Sequence, residues 1–554
     1  MTELIRIYCK NTASHIEVEA GASLEEIYQA AGCPLNYPPM NAFVNNKAER
    51  LTYRCWQPKT VEYAGYASLS GQRTYVRSLC HILTKAVNDV LPSATLCLEH
   101  PISKGYYFVI HNGGQLSVET IGLIKRRMQE LVDADLPFIY KTVQMKDAAA
   151  MFRSRGMADK AQLIETTGML YTSYYELDGY ANIFYGSLVP STGYIKLFDI
   201  IPYFDGALLR VPRMNNPEEL EPVVPQGKMF EVYKESLELL HTLDVDNAGD
   251  LNKAIAEKRV GEIILVSEAM QEKQIARIAE KIADQYDDGL RIVLISGPSS
   301  SGKTTFAQRL SIQLKTNLYH PFSISLDDYF VERKNTPRDE TGDYDFESLY
   351  ALDLNYFNND LNKLLQGLAI KQPSYNFVTG KRKYKGNMLQ LQKKSLLIIE
   401  GIHALNPELT AHIERKHKYK VYVSALTSIS LDNHNWIPTT DNRLLRRIVR
   451  DFRFRNYSPV QTIARWESVR KGEEKWIFPY QEMADSMFNS AMLYELAALR
   501  QYAEPILEQV KEDAEEYAEA YRLRRFLRYF KPISGIELPG TSLLREFLGG
   551  SSFQ

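Results

Sequence analysis

The sequence has little that would place it outside a reducing aqueous compartment. Only five cysteines occur in 554 residues. All precede residue 100 (Cys9, Cys33, Cys55, Cys80, Cys97), with no paired, metal-like spacing. An odd, sparse set excludes a disulfide framework and points to reduced thiols. No apolar run approaches the roughly 18 residues of a membrane-spanning helix. The opening stretch Met1–Arg6 carries no charged-then-apolar signal. Net charge is −2, so any affinity for nucleic acid or a membrane surface must be local. The expected location is the cytoplasm, with no membrane partner.

What is present is ordinary globular material. Hydrophobic residues make up 45% and charged residues 24%, enough for sizeable cores, and the length predicts about three or four domains. The expected fold class is multidomain α/β. One stretch organises the rest: Arg291 to Ser296, rich in β-branched residues, then Gly297, Pro298, Ser299, Ser300, Ser301, Gly302, Lys303, Thr304 and Thr305, then an amphipathic helix from Phe306 to about Leu314. This is the G-x-x-x-x-G-K-[ST] loop in its strand–loop–helix context. Its glycines let the backbone wrap a phosphate chain, and the N–H groups at the helix start supply anion donors. Lys303 reaches terminal phosphates, and the Thr304 hydroxyl suits Mg²⁺. ATP with Mg²⁺ is the expected cofactor.

Two further strands end in acids. Phe322–Leu326 delivers Asp327 and Asp328, and Ser395–Ile399 delivers Glu400. Carboxylates at the carboxyl ends of strands lie where open α/β sheets bind ligands. One can take a proton from an attacking hydroxyl while another serves the metal. Downstream, Arg443, Arg446, Arg447 and Arg450 recur at helical spacing, with Leu444, Leu445, Ile448 and Val449 spread over the opposite side. Thr440 or Asp441 can cap that helix. Beside a phosphate loop, the basic face reads as a lid that brings guanidinium groups to phosphates in transit.

Together these pieces resemble the uridine kinase and phosphoribulokinase group of P-loop kinases, over about residues 289–510. The resemblance implies an ATP-dependent nucleoside kinase with a parallel sheet and flanking helices. Asp327 would be the catalytic base, with Lys303, Arg447 and Arg450 as catalytic partners and Arg455 on the ATP side. Thr304, Asp327 and Glu400 would be the metal residues. Glu347, in Tyr344–Leu349, would hold the ribose, with Asp345 as the competing assignment. In the acceptor loop Pro373–Arg382, Tyr375 and Arg382 match the family, while Gly380 stands where it has a base-reading histidine. Tyr457 replaces another family arginine. Arg447 also serves the acceptor in this reading, whose base preference the departures leave open.

The front half resembles threonyl-tRNA synthetase. Residues 1–66 read as a β-grasp unit of the TGS type: alternating strands at Leu4–Tyr8 and His15–Val18, a Ser23/Glu26 capping box and a Gly32 stop. Residues 67–225 resemble that enzyme's editing domain, from Ser78–Val87 through Gly105–Phe108 to Leu136–Phe138. His81 matches the first pocket histidine. Lys85 stands at the second, Phe184 at the cysteine and Leu188 at the last histidine, which implies an α+β scaffold without editing chemistry. His100 and His111 stay unassigned. Residues 226–288 read as a helical connector, 289–530 as the kinase unit and 531–554 as an arm. The Arg522–Arg528 cluster reads as a packed or solvated helix face, in preference to an RNA site. The partners this reading admits are a nucleoside or similar small acceptor, RNA or tRNA through the N-terminal half, and a second copy of the chain.

Overall fold

The computed structural model describes residues 3–114, 116–339, 342–376, 379–534 and 537–553; Phe377 and Val378 of the acceptor loop lie outside the described residues. At the front, Leu4–Cys9 alternates outward and inward, burying Ile5, Ile7 and Cys9. It pairs antiparallel with Ser14–Glu19 and parallel with Lys59–Gly65, and the sheet continues through Pro39–Val44 and Lys47–Glu49. Leu24–Ala31 packs Leu24 and Ile27 into this core. The Ser23 hydroxyl accepts from the Glu26 amide, and the Glu26 carboxylate accepts from the Ser23 amide at 2.7 Å. Gly32 ends the helix at φ 57°, which favours glycine. This is a β-grasp.

Next come a four-stranded antiparallel sheet (Asp199–Tyr203, Gly206–Arg210, Gly105–His111, Thr95–Ile102) and the helices Leu69–Val90 and Val118–Asp133. They share one core that includes Leu79, Ile82, Phe108 and Ile124. A smaller sheet, Ile139–Gln144 with Tyr171–Leu177 and Tyr180–Asn182, carries the helices Met145–Ser154 and Ala158–Thr166. Three helices follow, Gly227–Thr242, Ala248–Ala256 and Val260–Asp284. The last packs Ile275, Ile278 and Ile282 against Val293, Ile295 and Phe306 of the phosphate-loop unit.

That unit is a five-stranded sheet in the order His320–Ser325, Ser395–Glu400, Ile292–Ser296, Lys418–Ser424, Ser486–Asn489, every pairing parallel. Ile292–Ser296 is central and wholly buried, as expected for an apolar strand covered on both faces. Each such Ile or Leu contributes about 1.5–3 kcal/mol on burial. The order reverses around this strand, so the ends of Ile292–Ser296, Ser395–Glu400 and His320–Ser325 open onto one crevice.

The lid helix runs Thr439–Phe454 and starts after Pro438 without a side-chain cap. The expected cap at Thr440 or Asp441 is therefore absent. Asp441 instead accepts both guanidinium arms of Arg522, at 2.6 and 2.8 Å, from the helix Tyr517–Leu527. The arm beyond residue 531 packs back, burying Leu538, Leu543, Leu544, Phe547 and Leu548.

Candidate active site

The loop between Ile292–Ser296 and the helix Lys303–Thr316 turns at Ser300 (φ 58°) and Gly302 (φ 82°). Gly297 is required by proximity: a Cβ there would lie 2.0 Å from the Val423 carbonyl. The Lys303 ammonium donates to the Gly297 and Pro298 carbonyls at 2.9 and 3.1 Å. Loss of hydration lowers its pKa, while Glu400, Asp327 and Glu546 pull the other way. Thr304 is exposed at the helix start, whereas Thr305 is buried.

The strand-end acids converge on this lysine. Desolvation raises Asp327, against the pull of Lys303, Arg455 and Arg450. Glu400 is pushed up to about 7, first by desolvation and then by Asp327, while Lys303 and a 2.8 Å bond from the Ser325 hydroxyl oppose the shift. Glu347 also rises to about 7, chiefly by desolvation, and the charges acting on it include Arg447, Glu473, Lys303 and Asp327. One Glu347 oxygen is buried without a hydrogen-bond partner. Asp345 accepts from the Glu347 amide at 3.1 Å, so it shapes the turn that presents Glu347. Glu347, Asp327, Glu400 and Lys303 thus occupy one crevice.

The three residues expected to serve a metal, Thr304, Asp327 and Glu400, offer only oxygen donors. Among the described residues no three His, Cys, Asp or Glu side chains cluster as a metal cage. Mg²⁺ suits this, because it keeps several waters and binds through one or two carboxylates plus substrate phosphates.

The arginines divide into two groups, which the sequence pattern alone does not separate. Arg443 and Arg446 are almost fully buried, ion-paired to Glu473 and Glu495. Arg443 donates to the Ser299 carbonyl at 2.9 Å and Arg446 to the Ser300 carbonyl at 3.3 Å. These two clamp the loop instead of standing free for phosphate. Arg447 donates to the Ser299 hydroxyl at 2.8 Å. Arg447, Arg450 and Arg455 all share Asp451 and stay partly accessible at the crevice.

On the acceptor side, Tyr375 is buried in a core beside Phe330, and its amide donates to Asp328 at 3.0 Å. Arg382 donates to the Phe330 carbonyl and to Asp353, both at 3.2 Å, with its guanidinium over the Tyr356 ring. It braces the hairpin Ile370–Asn376/Lys381–Leu389. Gly380 turns that hairpin at φ 67°, and a Cβ there would lie 2.6 Å from the Arg333 Cβ.

Sequence reasoning missed Glu473, Glu546 and His403. Glu473 accepts from the Ser299 amide at 3.0 Å; as one acid in a charged helix it gives no sequence signal. His403 follows Glu400 by three residues, a strand-end signal that was readable. It is buried near Trp476, with the Glu347 and Ser348 backbone beside its ring. Burial lowers its pKa to about 4, so it is neutral.

In the editing-like region, His81 is fully buried, with ring contacts to Phe138, Tyr180 and Phe184. Burial lowers its pKa to about 3. Lys85 pairs with Asp89 and Asp178, and Leu188 is core. The neighbouring cleft is filled by the kinase unit's own loop. Asn435 donates to the Ile183 carbonyl at 2.9 Å, His434 contacts Asn182, and Lys160 pairs with Asp432.

A parallel sheet with a phosphate loop on its central strand, strand-end acids and an arginine helix defines a P-loop kinase fold. Residues 292–496 match the model of the Phosphoribulokinase / Uridine kinase family. The possible uridine kinase from Bacillus stearothermophilus is similar at 20% identity, covering 36% of this chain and 89% of that one, with a TM-score of 0.25. D-glycerate 3-kinase from Cryptococcus neoformans is similar at 14% identity, covering 47% and 87%, with a TM-score of 0.22. The N-terminal region is similar to threonine–tRNA ligases. That of Methylobacillus flagellatus is 25% identical over 34% of this chain and 30% of its own length. That of Burkholderia lata is 33% identical over 22% and 20%. The chain thus spans a third or less of these curated relatives. Among the described residues no helix is long and apolar enough to cross a membrane.

Proposed function

We propose that the protein is an ATP-dependent nucleoside kinase acting on the ribose 5′-hydroxyl in nucleotide salvage. The observation that carries this reading is the electrostatic grouping of Lys303, Asp327 and Glu400 at adjacent strand ends beside the phosphate loop. The hydroxyl oxygen attacks the γ-phosphorus as its proton passes to the Asp327 carboxylate. The bond to the β-phosphate oxygen breaks, and ADP leaves. Lys303, Arg447 and Arg450 stabilise charge on the transferring group, where phosphoryl-transfer catalysis is mostly positioning and electrostatics. Arg455 attends the ATP side. Thr304, Glu400 and Asp327 would hold Mg²⁺, which would supply neutralisation of the phosphate charge.

Glu347 is the acceptor residue with the best support, because it brings an unpartnered buried oxygen to the crevice. Tyr375 would pack near the base, and Arg382 would act indirectly through the hairpin. Gly380 favours a second reading, in which the acceptor is a sugar phosphate or another small alcohol. Contact with RNA through the N-terminal half is supported by the ligase similarity alone. Filter binding of tRNA tests it, and absent or salt-insensitive binding would count against it.

The deciding experiment is an ADP-release panel with Mg·ATP, covering nucleosides, sugar phosphates and small sugar alcohols. Turnover with a nucleoside supports the first reading. Turnover only with a sugar alcohol or sugar phosphate replaces it with the second.

A further inference from the structure

The arm lies beyond residues 292–496, the family-matched stretch, yet it is built into the phosphate loop. Leu543 and Phe547 are fully buried in one core with Phe306, Leu310 and Val423. A Cβ on Gly302 would lie 2.4 Å from Leu543 Cδ2, so the loop glycine also makes room for the arm. Glu546 reaches the start of the loop helix. One of its carboxylate oxygens accepts from the Thr305 amide at 3.3 Å and from the Thr305 hydroxyl at 2.8 Å. That amide follows Lys303 and Thr304 at the helix N-terminus, where backbone donors take phosphate oxygens.

Beside this contact is an open, cleft-like cavity of about 360 Å³. Thr304, Thr305 and Gln308 form one side, Phe454 at the end of the lid helix another, and Gly549 and Phe553 of the arm the third. Its size falls in the range of about 300–1,000 Å³ typical of small-ligand sites. The arm is held in this shape by a bond from the lid helix and by one of its own. Arg453 donates to the Leu548 carbonyl at 2.6 Å, and the Ser552 amide to the Gly540 carbonyl at 2.8 Å. Gly549 and Gly550 have φ of 80° and 73°, a turn that other residues would strain.

We infer that the arm completes the donor-nucleotide site: the base and ribose of ATP occupy the cavity between Phe454 and Phe553, and the Glu546 carboxylate yields the Thr305 amide to the phosphate chain. The inference rests on the phosphate loop binding ATP. Aromatic faces beside the helix start provide stacking surfaces for a nucleobase. A carboxylate on the same donor as a phosphate oxygen opposes its entry by like-charge repulsion. Glu546 is therefore an internal competitor that nucleotide binding displaces.

Calorimetric titration of the full chain with ATP and with inorganic tripolyphosphate, which lacks the nucleoside, tests this. Phe553→Ala should weaken ATP binding by at least about fivefold, the low end for losing one stacked aromatic, and leave tripolyphosphate unchanged. Glu546→Gln should tighten both ligands, a gain that misfolding cannot produce. If wild-type protein binds ATP and neither variant changes its affinity, the arm's role is overturned while the loop reading stands. If wild-type protein binds neither ligand, the loop reading fails and the inference falls with it.

Discussion

The Lys160 ammonium lies 2.6 Å from the Asp432 carboxylate, and neither side chain is exposed. Lys160 belongs to the editing-like region, and Asp432 to the kinase loop that leads into the lid helix at Thr439. Asp432 also accepts from the Tyr185 hydroxyl and the Asn435 amide group. The synthetase-like module is thus a socket for the segment that leads into the arginine helix Thr439–Phe454.

Breaking this pair from one side should cost far more than removing both charges. Lys160→Met leaves a buried carboxylate with neutral donors only, a loss of about 3–5 kcal/mol. Lys160→Met/Asp432→Leu should recover most of it. Thermal melts of wild type, single and double variants measure the difference. ATP turnover well below the melt should fall in the single variant because the segment leading into the arginine helix loses its buried partner. Unchanged turnover would separate the socket from catalysis.

Glu347 gives a pH dependence of definite sign. Its folded pKa of about 7 lies above the ordinary carboxylate value. Its contribution to stability is therefore fully present below the unfolded pKa and is lost as pH rises through about 7. Acceptor binding should run the other way, because ribose hydroxyls donate to an ionised carboxylate. Acceptor affinity should rise with pH through that region in wild type, and Glu347→Gln should flatten the profile. A profile unmoved by the substitution would assign the titration to another group.

Gly380 bears on specificity and stability together. Gly380→His puts a side chain where the family has one, but onto a left-handed residue whose Cβ would lie 2.6 Å from Arg333 Cβ. The expected result is a loss of at least about 1 kcal/mol, the ordinary cost of this backbone region for a side chain, with no gain in pyrimidine preference. Melting curves and a uridine-against-purine turnover ratio check it. A stable variant with sharpened uridine preference would show that the hairpin still holds the family's base-reading geometry.

What was legible from the residues was local. The Ser23/Glu26 box, the Gly297–Thr305 loop and the two acidic strand ends declare themselves because each depends on neighbours within a few positions. His81 and Phe184 were matched one by one to an editing pocket, and they do meet, with ring centres 5.2 Å apart. The filling of the adjacent cleft by Asp432, His434 and Asn435 was not legible, because contacts across some 250 residues leave no periodic trace. Asp441 shows the same limit. Its position reads as a helix cap, yet Arg522 from a distant helix takes its carboxylate.

The lid arginines offer the sharpest separation of structure from chemistry. Arg443 and Arg450 are two turns apart on one helix, yet Arg443 is buried against Glu473 and the Ser299 carbonyl while Arg450 is part-exposed beside Asp451. Arg443→Ala leaves the buried Glu473 carboxylate with only the longer Arg470 pair at 3.5 Å and removes the clamp on the Ser299 carbonyl, so stability should fall by up to about 3–5 kcal/mol. Arg450→Ala should melt close to wild type. Its kcat should fall by roughly 10²–10³, the scale for removing one preorganised group that meets developing charge, with KM for ATP little changed. Paired melts and steady-state kinetics decide it. If Arg450→Ala instead raised KM and spared kcat, the residue would serve ground-state binding, and the catalytic share of the lid would pass to Arg447.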